Sequence, residues 1–172
     1  MLNFSRIKIN DLIEIVDIKP RNKFLGNLIL SSCPGIGKNL LNDIETIKEL
    51  KIDTLFTLID DTELNDLGGK GLSQLLEINH IKWLQLPITN FSIPEKKQKE
   101  VLINIIEELI DDLINNRNIL IHCMAGLGRS GMIAATILKK IGINAQLSIS
   151  TIRSARPGAI ETTSQVDYIV NF

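Results

Sequence analysis

The sequence predicts an α/β fold: a central, mostly parallel sheet of about five strands flanked by helices. Short apolar, β-branched runs alternate with longer segments whose apolar residues recur at helical spacing. The run Asn118–His122 is apolar without alternation, as a strand buried on both faces is. A glycine-containing turn and a helical pattern follow it, and open α/β sheets bind ligands at such strand ends.

Taken in order, the strand candidates are residues 12–18, 26–30, 54–59, 81–87 and 118–122. Helical patterns fall between them at 38–50, 71–79 and 95–115, and after them at 130–141, 146–155 and 161–170. Within 95–115, the stripe Val101, Leu102, Ile105, Ile106, Leu109, Ile110 and Leu113 is expected to pack on the sheet. Arg153 and the pair Arg156-Pro157 are expected to cap and end a helix near the site, with a second phosphate contact as the alternative.

Composition bounds the rest. With 172 residues, 44% of them hydrophobic, and a formal net charge of -1, the chain suits one domain over 1–172, with 1–22 as its N-terminal segment. No basic cluster with interleaved aromatics is present, which argues against nucleic acid or an anionic membrane as partner. The apolar runs are too short to span a bilayer, and no secretory leader opens the chain. Two cysteines fit a reducing cytoplasm. Two histidines and two cysteines at these spacings form no zinc pattern, so no metal and no cofactor is expected. The expected state is a monomer.

The stretch His122-Cys123-Met124-Ala125-Gly126-Leu127-Gly128-Arg129-Ser130-Gly131 carries the chemistry. Backbone N–H groups of Met124, Ala125, Gly126, Leu127, Gly128 and Arg129 can curl around a dianion, since Gly126 and Gly128 allow backbone angles that other residues resist. Arg129 adds a bidentate guanidinium. The helix that follows turns its positive end into the same loop. Cys123 is the expected nucleophile, because adjacent cations and helix N-termini favour the reactive thiolate form of a cysteine. A cysteine near a buried strand is by itself a small hydrophobe; the combination at a strand-turn-helix junction is what points to phosphate.

These residues resemble the cysteine-dependent protein phosphatases, whose signature is His-Cys, five residues, Arg, then Ser or Thr. More narrowly, the chain resembles the kinase-associated, cyclin-dependent kinase inhibitor 3-like group of dual-specificity phosphatases. The likeness runs from about residue 24 to 172. It rests on Phe24-Leu25-Gly26, Pro34-Gly35 with Lys38, Glu63-Leu64, Leu86-Pro87-Ile88, the catalytic-type loop, and Gly158-Ala159-Ile160-Glu161-Thr162 with Gln165 and Tyr168. It implies a phosphocysteine intermediate on Cys123, an oxygen clamp from Arg129, and a hydroxyl from Ser130 that helps the sulfur leave. It further implies a phosphorylated protein as substrate, through phosphotyrosine and/or phosphoserine and phosphothreonine, with a kinase among the implied partners. Apolar Met124 and Leu127 stand where phosphoinositide-directed relatives carry basic residues, which favours phosphoprotein. His122 is expected to shape the loop.

One position departs from the family. Alignment of Pro87-Ile88-Thr89-Asn90 with the movable acid loop puts Asn90 where an aspartic acid is expected. An amide cannot protonate a leaving group, and general acid catalysis contributes roughly 10²–10⁴-fold. Asp61, Asp60 and Glu95 are the alternative carboxyls. Two function classes therefore stay open: a phosphatase, and a phosphoprotein-binding pseudophosphatase that keeps the pocket without efficient turnover. The segment from Cys33 to Lys38 hints at a nucleotide loop but lacks its glycine and hydroxyl spacing, so a turn is expected. A protective disulfide between Cys33 and Cys123 on oxidation is a further expectation.

Overall fold

The computed structural model describes residues 2–9, 24, 26–37 and 39–172. Strands β2 (Leu28–Ser31), β3 (Ile52–Thr57), β4 (Lys82–Gln85) and β5 (Asn118–His122) are parallel, and β1 (Phe4–Ile7) adds an antiparallel edge; the spatial order is β1-β2-β5-β3-β4. Leu28, Ile29 and Leu30 of β2 and Ile119, Leu120 and Ile121 of β5 have no exposed surface. Both faces of the central strands are thus covered, the condition under which parallel strands carry continuous apolar runs.

The α/β expectation holds, with local differences. The edge strand β1 is not among the strand candidates, because Phe4 and Arg6 are exposed and leave no apolar run to read. The candidate strand at 12–18 lies outside the described residues. A short helix α2 (Asp61–Asp66) follows β3, too brief to show a periodic stripe. The remaining helices are α1 (Leu40–Glu49), α3 (Leu72–Ile78), α4 (Lys99–Ile114), α5 (Gly128–Lys140), α6 (Ala145–Ala155) and α7 (Thr163–Asn171). On α4 the buried stripe is narrower than its sequence suggests: Leu102, Ile106, Leu109 and Leu113 are buried, whereas Val101 is exposed. Helix α5 is buried from Gly128 to Leu138 and touches β2, β5, α6 and α7.

Register brings the strand ends together. Ser31 of β2 and Thr57 of β3 both pair with His122, the last residue of β5. The next residues keep the contact: Leu58 N–H donates to the His122 carbonyl at 3.0 Å, and Cys33 N–H to the Met124 carbonyl at 2.9 Å. The loops after β2, β3 and β5 therefore converge on the segment from Cys123 to Arg129.

Candidate active site

The loop between β5 and α5 is shaped by what a side chain would strike. Gly126 has φ +73°, and a Cβ there would lie 2.2 Å from the Ser31 carbonyl oxygen. Cys123 sits at the strand end with 3% of its surface exposed, and its Sγ lies 3.5 Å from Ser130 Oγ in the first turn of α5. Arg129 is 1% exposed. Its Nη1 donates to Glu63 Oε2 at 2.9 Å and to the Ile88 carbonyl at 3.0 Å, and its Nη2 donates to Glu63 Oε1 at 2.6 Å. Burial opposes the guanidinium charge, yet the hydrogen bonds and charge of Glu63 and the nearby Cys123 outweigh it and raise its proton affinity. Arg129 Nε has no partner among the described residues, a buried donor of the kind that folded proteins rarely leave unmet.

His122 is a structural member of the loop. Its Nδ1 lies 3.2 Å from the Cys123 carbonyl, which can only accept, so Nδ1 carries the proton. Its Nε2 then accepts from Thr57 Oγ1 at 2.8 Å, and Trp83 Nε1 donates to the same hydroxyl at 2.8 Å. Complete burial pushes the imidazole down to about 4. A proton on Nε2 would strip the Thr57 hydroxyl of its acceptor.

Arg156 braces the loop from outside. Its Nε donates to the Gly126 carbonyl at 2.5 Å and its Nη2 to the Ala125 carbonyl at 2.8 Å, with Asn3 on Nη1 at 3.2 Å. Because C=O and N–H point oppositely across a planar peptide, tying these carbonyls outward turns the amides of Gly126 and Leu127 inward. Arg153 donates to the carbonyls of Ala159 at 3.2 Å and Ile160 at 2.9 Å. Arg156 thus spends all three guanidinium nitrogens on the chain, and Arg153 spends its Nε and Nη2 there.

The segment after β4 flanks the loop. Ile88 holds Arg129, and the Ser92 carbonyl accepts from Gln165 Nε2 at 3.4 Å. Asn90 lies between these anchors and accepts from the Phe91 amide at 3.1 Å. It lines a cavity of about 390 Å³ together with Asp60, Glu63, Ile88, Thr89 and Glu95. Of the alternative carboxyls, Asp60 caps α2 through the Glu63 amide at 2.8 Å, and Glu95 pairs with Lys97 at 2.8 Å. Asp61 accepts from Gln85 Nε2 at 3.0 Å and is not in the cavity lining.

Three contacts are not legible in the sequence. Glu63 stands there only as part of the Glu63-Leu64 likeness, Arg156 only as a helix end or a second phosphate contact, and Glu161 only within the Gly158–Thr162 likeness. The Glu161 carboxylate rests against the loop between β5 and α5: a Cβ on Gly128 would be 2.2 Å from its Oε2. Cys33 and Cys123 are free thiols. Burial pushes Cys33 up to about 12, and its thiol donates to the Pro34 carbonyl at 3.4 Å. The turn from Cys33 to Gly37 spends the Gly35 amide on Asp43 Oδ2 at 2.9 Å, a structural use. Among the described residues no group of three His, Cys, Asp or Glu side chains could hold a metal ion. No described helix is long and apolar enough to cross a membrane.

A cysteine loop between the central parallel strand and a buried helix, closed by arginine, defines the protein tyrosine phosphatase class of fold. Residues 31–143 match the family model described as "Tc-R-P: Polymorphic toxin system, DSP-PTPase phosphatase". The chain is 33% identical over 156 residues to cyclin-dependent kinase inhibitor 3 of Rattus norvegicus, covering 88% of this chain and 72% of the relative. Identity to the Homo sapiens protein of that name is 31% over 156 residues, with the same coverage. The chain belongs to the dual-specificity protein tyrosine phosphatase family and is a homologue of cyclin-dependent kinase inhibitor 3. A crystal structure of kinase associated phosphatase, with its catalytic-site cysteine replaced by serine, superposes with a TM-score of 0.82 at 27% identity, covering 98% of this chain and 92% of that one. A putative protein tyrosine phosphatase from Leishmania major shares the fold at a TM-score of 0.75 and 21% identity, covering 99% and 98%.

Proposed function

We propose that this chain hydrolyses phosphorylated proteins through a phosphocysteine intermediate on Cys123. The Cys123 sulfur attacks phosphorus, the bond to the leaving oxygen breaks, and that oxygen takes up a proton. Arg129 and the amides of residues 124 to 129 hold the equatorial oxygens, where charge spreads in the transition state. Water then attacks the phosphocysteine, and the electron pair returns to a sulfur to which Ser130 donates. The observation that carries this reading is the guanidinium of Arg129: buried, fixed by Glu63, and left with one unmet donor beside Cys123.

The substrate is a phosphoprotein, on phosphotyrosine and/or phosphoserine and phosphothreonine, and the names of the relatives support a kinase as partner. The enzyme works as a monomer in the cytoplasm without metal or cofactor. Asn90 supports a second reading, in which the chain binds phosphoproteins without turning them over. Hydrolysis of an aryl phosphate and of a phosphothreonine peptide by the parent chain, Cys123→Ser and Asn90→Asp separates the two. Turnover that Cys123→Ser abolishes establishes the enzyme. No turnover by the parent or by Asn90→Asp, with phosphopeptide binding retained, establishes the binder.

A further inference from the structure

Asn90 presents an amide, which holds no proton to give to a leaving oxygen. Asp60 and Glu95 are engaged as caps, Asp61 is held by Gln85, and Glu63 is spent on Arg129. We infer that Glu161 is the carboxyl that transfers protons in this site, in the place Asn90 leaves unfilled. The inference rests on the phosphatase reading and deepens it.

The positioning is specific. Glu161 Oε2 lies where only the missing side chain of Gly128 leaves room, at the first residue of α5 and within the phosphate loop. Its carboxylate makes no hydrogen bond or ion pair with any described residue, so both oxygens are available. The backbone is held on both sides. Ile160 N–H donates to the Leu127 carbonyl at 3.4 Å, Glu161 N–H to Gln165 Oε1 at 2.9 Å, and Arg153 ties down the Ile160 carbonyl at 2.9 Å. Ile160 itself is forced to φ +59°, a strained setting for a β-branched residue. Strain that the surroundings enforce beside a reactive loop is commonly part of the mechanism; here it aims the next side chain at Gly128.

The proton balance closes over one cycle. Protonated Glu161 gives its proton to the leaving oxygen as the sulfur–phosphorus bond forms and the phosphorus–oxygen bond breaks. The resulting carboxylate takes a proton from the attacking water as the new phosphorus–oxygen bond forms and the electron pair of the sulfur–phosphorus bond returns to Cys123.

The experiment is rapid-mixing kinetics of Glu161→Gln against the parent, Asn90→Asp and the double variant, on p-nitrophenyl phosphate and a phosphothreonine peptide. Nitrophenolate leaves without a proton, so Glu161→Gln is expected to release one equivalent in a burst. It should then stall with phosphorylated Cys123 detectable by intact mass and a steady rate lower by about 10²-fold or more. The peptide, which needs both transfers, should lose rate without a burst, and Asn90→Asp in the double variant should restore part of it. Parent-like rates in Glu161→Gln overturn the inference. So does an equal fractional loss on both substrates with no burst, the mark of a merely structural role. An inert parent with an active Asn90→Asp variant overturns the Glu161 assignment and leaves the phosphatase reading standing. If both are inert, the phosphatase reading falls and the assignment with it.

Discussion

Glu63 grips both terminal nitrogens of Arg129, at 2.9 Å and 2.6 Å, from a helix that begins just after β3. The pair is asymmetric: the Arg129 side chain is 1% exposed and that of Glu63 is 30% exposed. Glu63 therefore orients a buried cation that could otherwise rotate away from the loop. A partly solvated carboxylate contributes less than a fully buried one.

Glu63→Gln keeps the shape and removes the charge. The expected result is a fall in kcat/KM of about 10- to 100-fold, mainly through KM, with a stability loss of about 1–2 kcal/mol, below the full cost of breaking a buried pair. Inhibition by inorganic phosphate and urea unfolding read the two effects separately. An unchanged phosphate affinity would show that Arg129 needs no such support.

Arg156 serves the loop through geometry, since it holds the carbonyls of Ala125 and Gly126 and is itself only 5% exposed. A lysine cannot span both carbonyls with one ammonium group. Arg156→Lys is expected to weaken phosphate binding about tenfold and to cost about 1–3 kcal/mol in stability from unmet buried carbonyls. Saturating phosphate should recover part of the stability difference in thermal unfolding. No recovery would mean that the brace supports the fold and not the loop.

The legible parts of this molecule are those in which local chemistry and global position coincide. Strand β5 is apolar from Ile119 to Ile121 because it is central, and the cysteine loop reads clearly because its glycines and arginine have few other uses together. Strand β1 is hidden by its edge position, where exposed Phe4 and Arg6 blur any pattern. Helix α2 is too short for a period to register. Glu63 meets Arg129 across 66 residues of sequence, so tertiary packing alone makes that pair visible. For Glu161 the signal is present as a likeness at Gly158–Thr162, but its contact with Gly128 depends on the left-handed turn at Ile160, a conformation that isoleucine does not advertise.

Stability should depend on pH through His122. Its imidazole is held near 4 when folded, against an ordinary value of 6.5. Above about pH 6.5 the ring is neutral in both states and the full contribution is present. As pH falls, the unfolded chain takes up a proton that the folded chain refuses, so stability declines down to about pH 4. At about 1.4 kcal/mol for each pH unit that separates the folded ring from the unfolded one, the loss approaches roughly 3 kcal/mol. Urea unfolding of the parent and of His122→Gln at pH 7, 5.5 and 4 isolates this group, because the carboxylates titrate alike in both. A difference between them that stays constant over that range would refute the assignment of His122 as a buried neutral ring.

Two glycines with positive φ separate the loop's steric demand from simple backbone strain. At Gly126 a Cβ would stand 2.2 Å from the Ser31 carbonyl oxygen and 2.8 Å from the Ser32 nitrogen, all backbone of a central strand and the turn after it. At Gly142, with φ +106°, an added Cβ would meet nothing within 4 Å beyond its chain neighbours. Gly142→Ala is therefore expected to cost about 1–2 kcal/mol from the left-handed conformation alone, with turnover unchanged. Gly126→Ala must push β2 away from the loop or flatten the loop itself. Either movement misplaces the amides that the proposed mechanism turns to phosphate, and an error near 1 Å in such a site costs on the order of 10²-fold in rate. Turnover and urea unfolding of the two variants, measured side by side, check this. Equal stability losses with full activity in both would show that the loop tolerates displacement, and that its glycine at 126 answers to backbone angle and not to the carbonyl of Ser31.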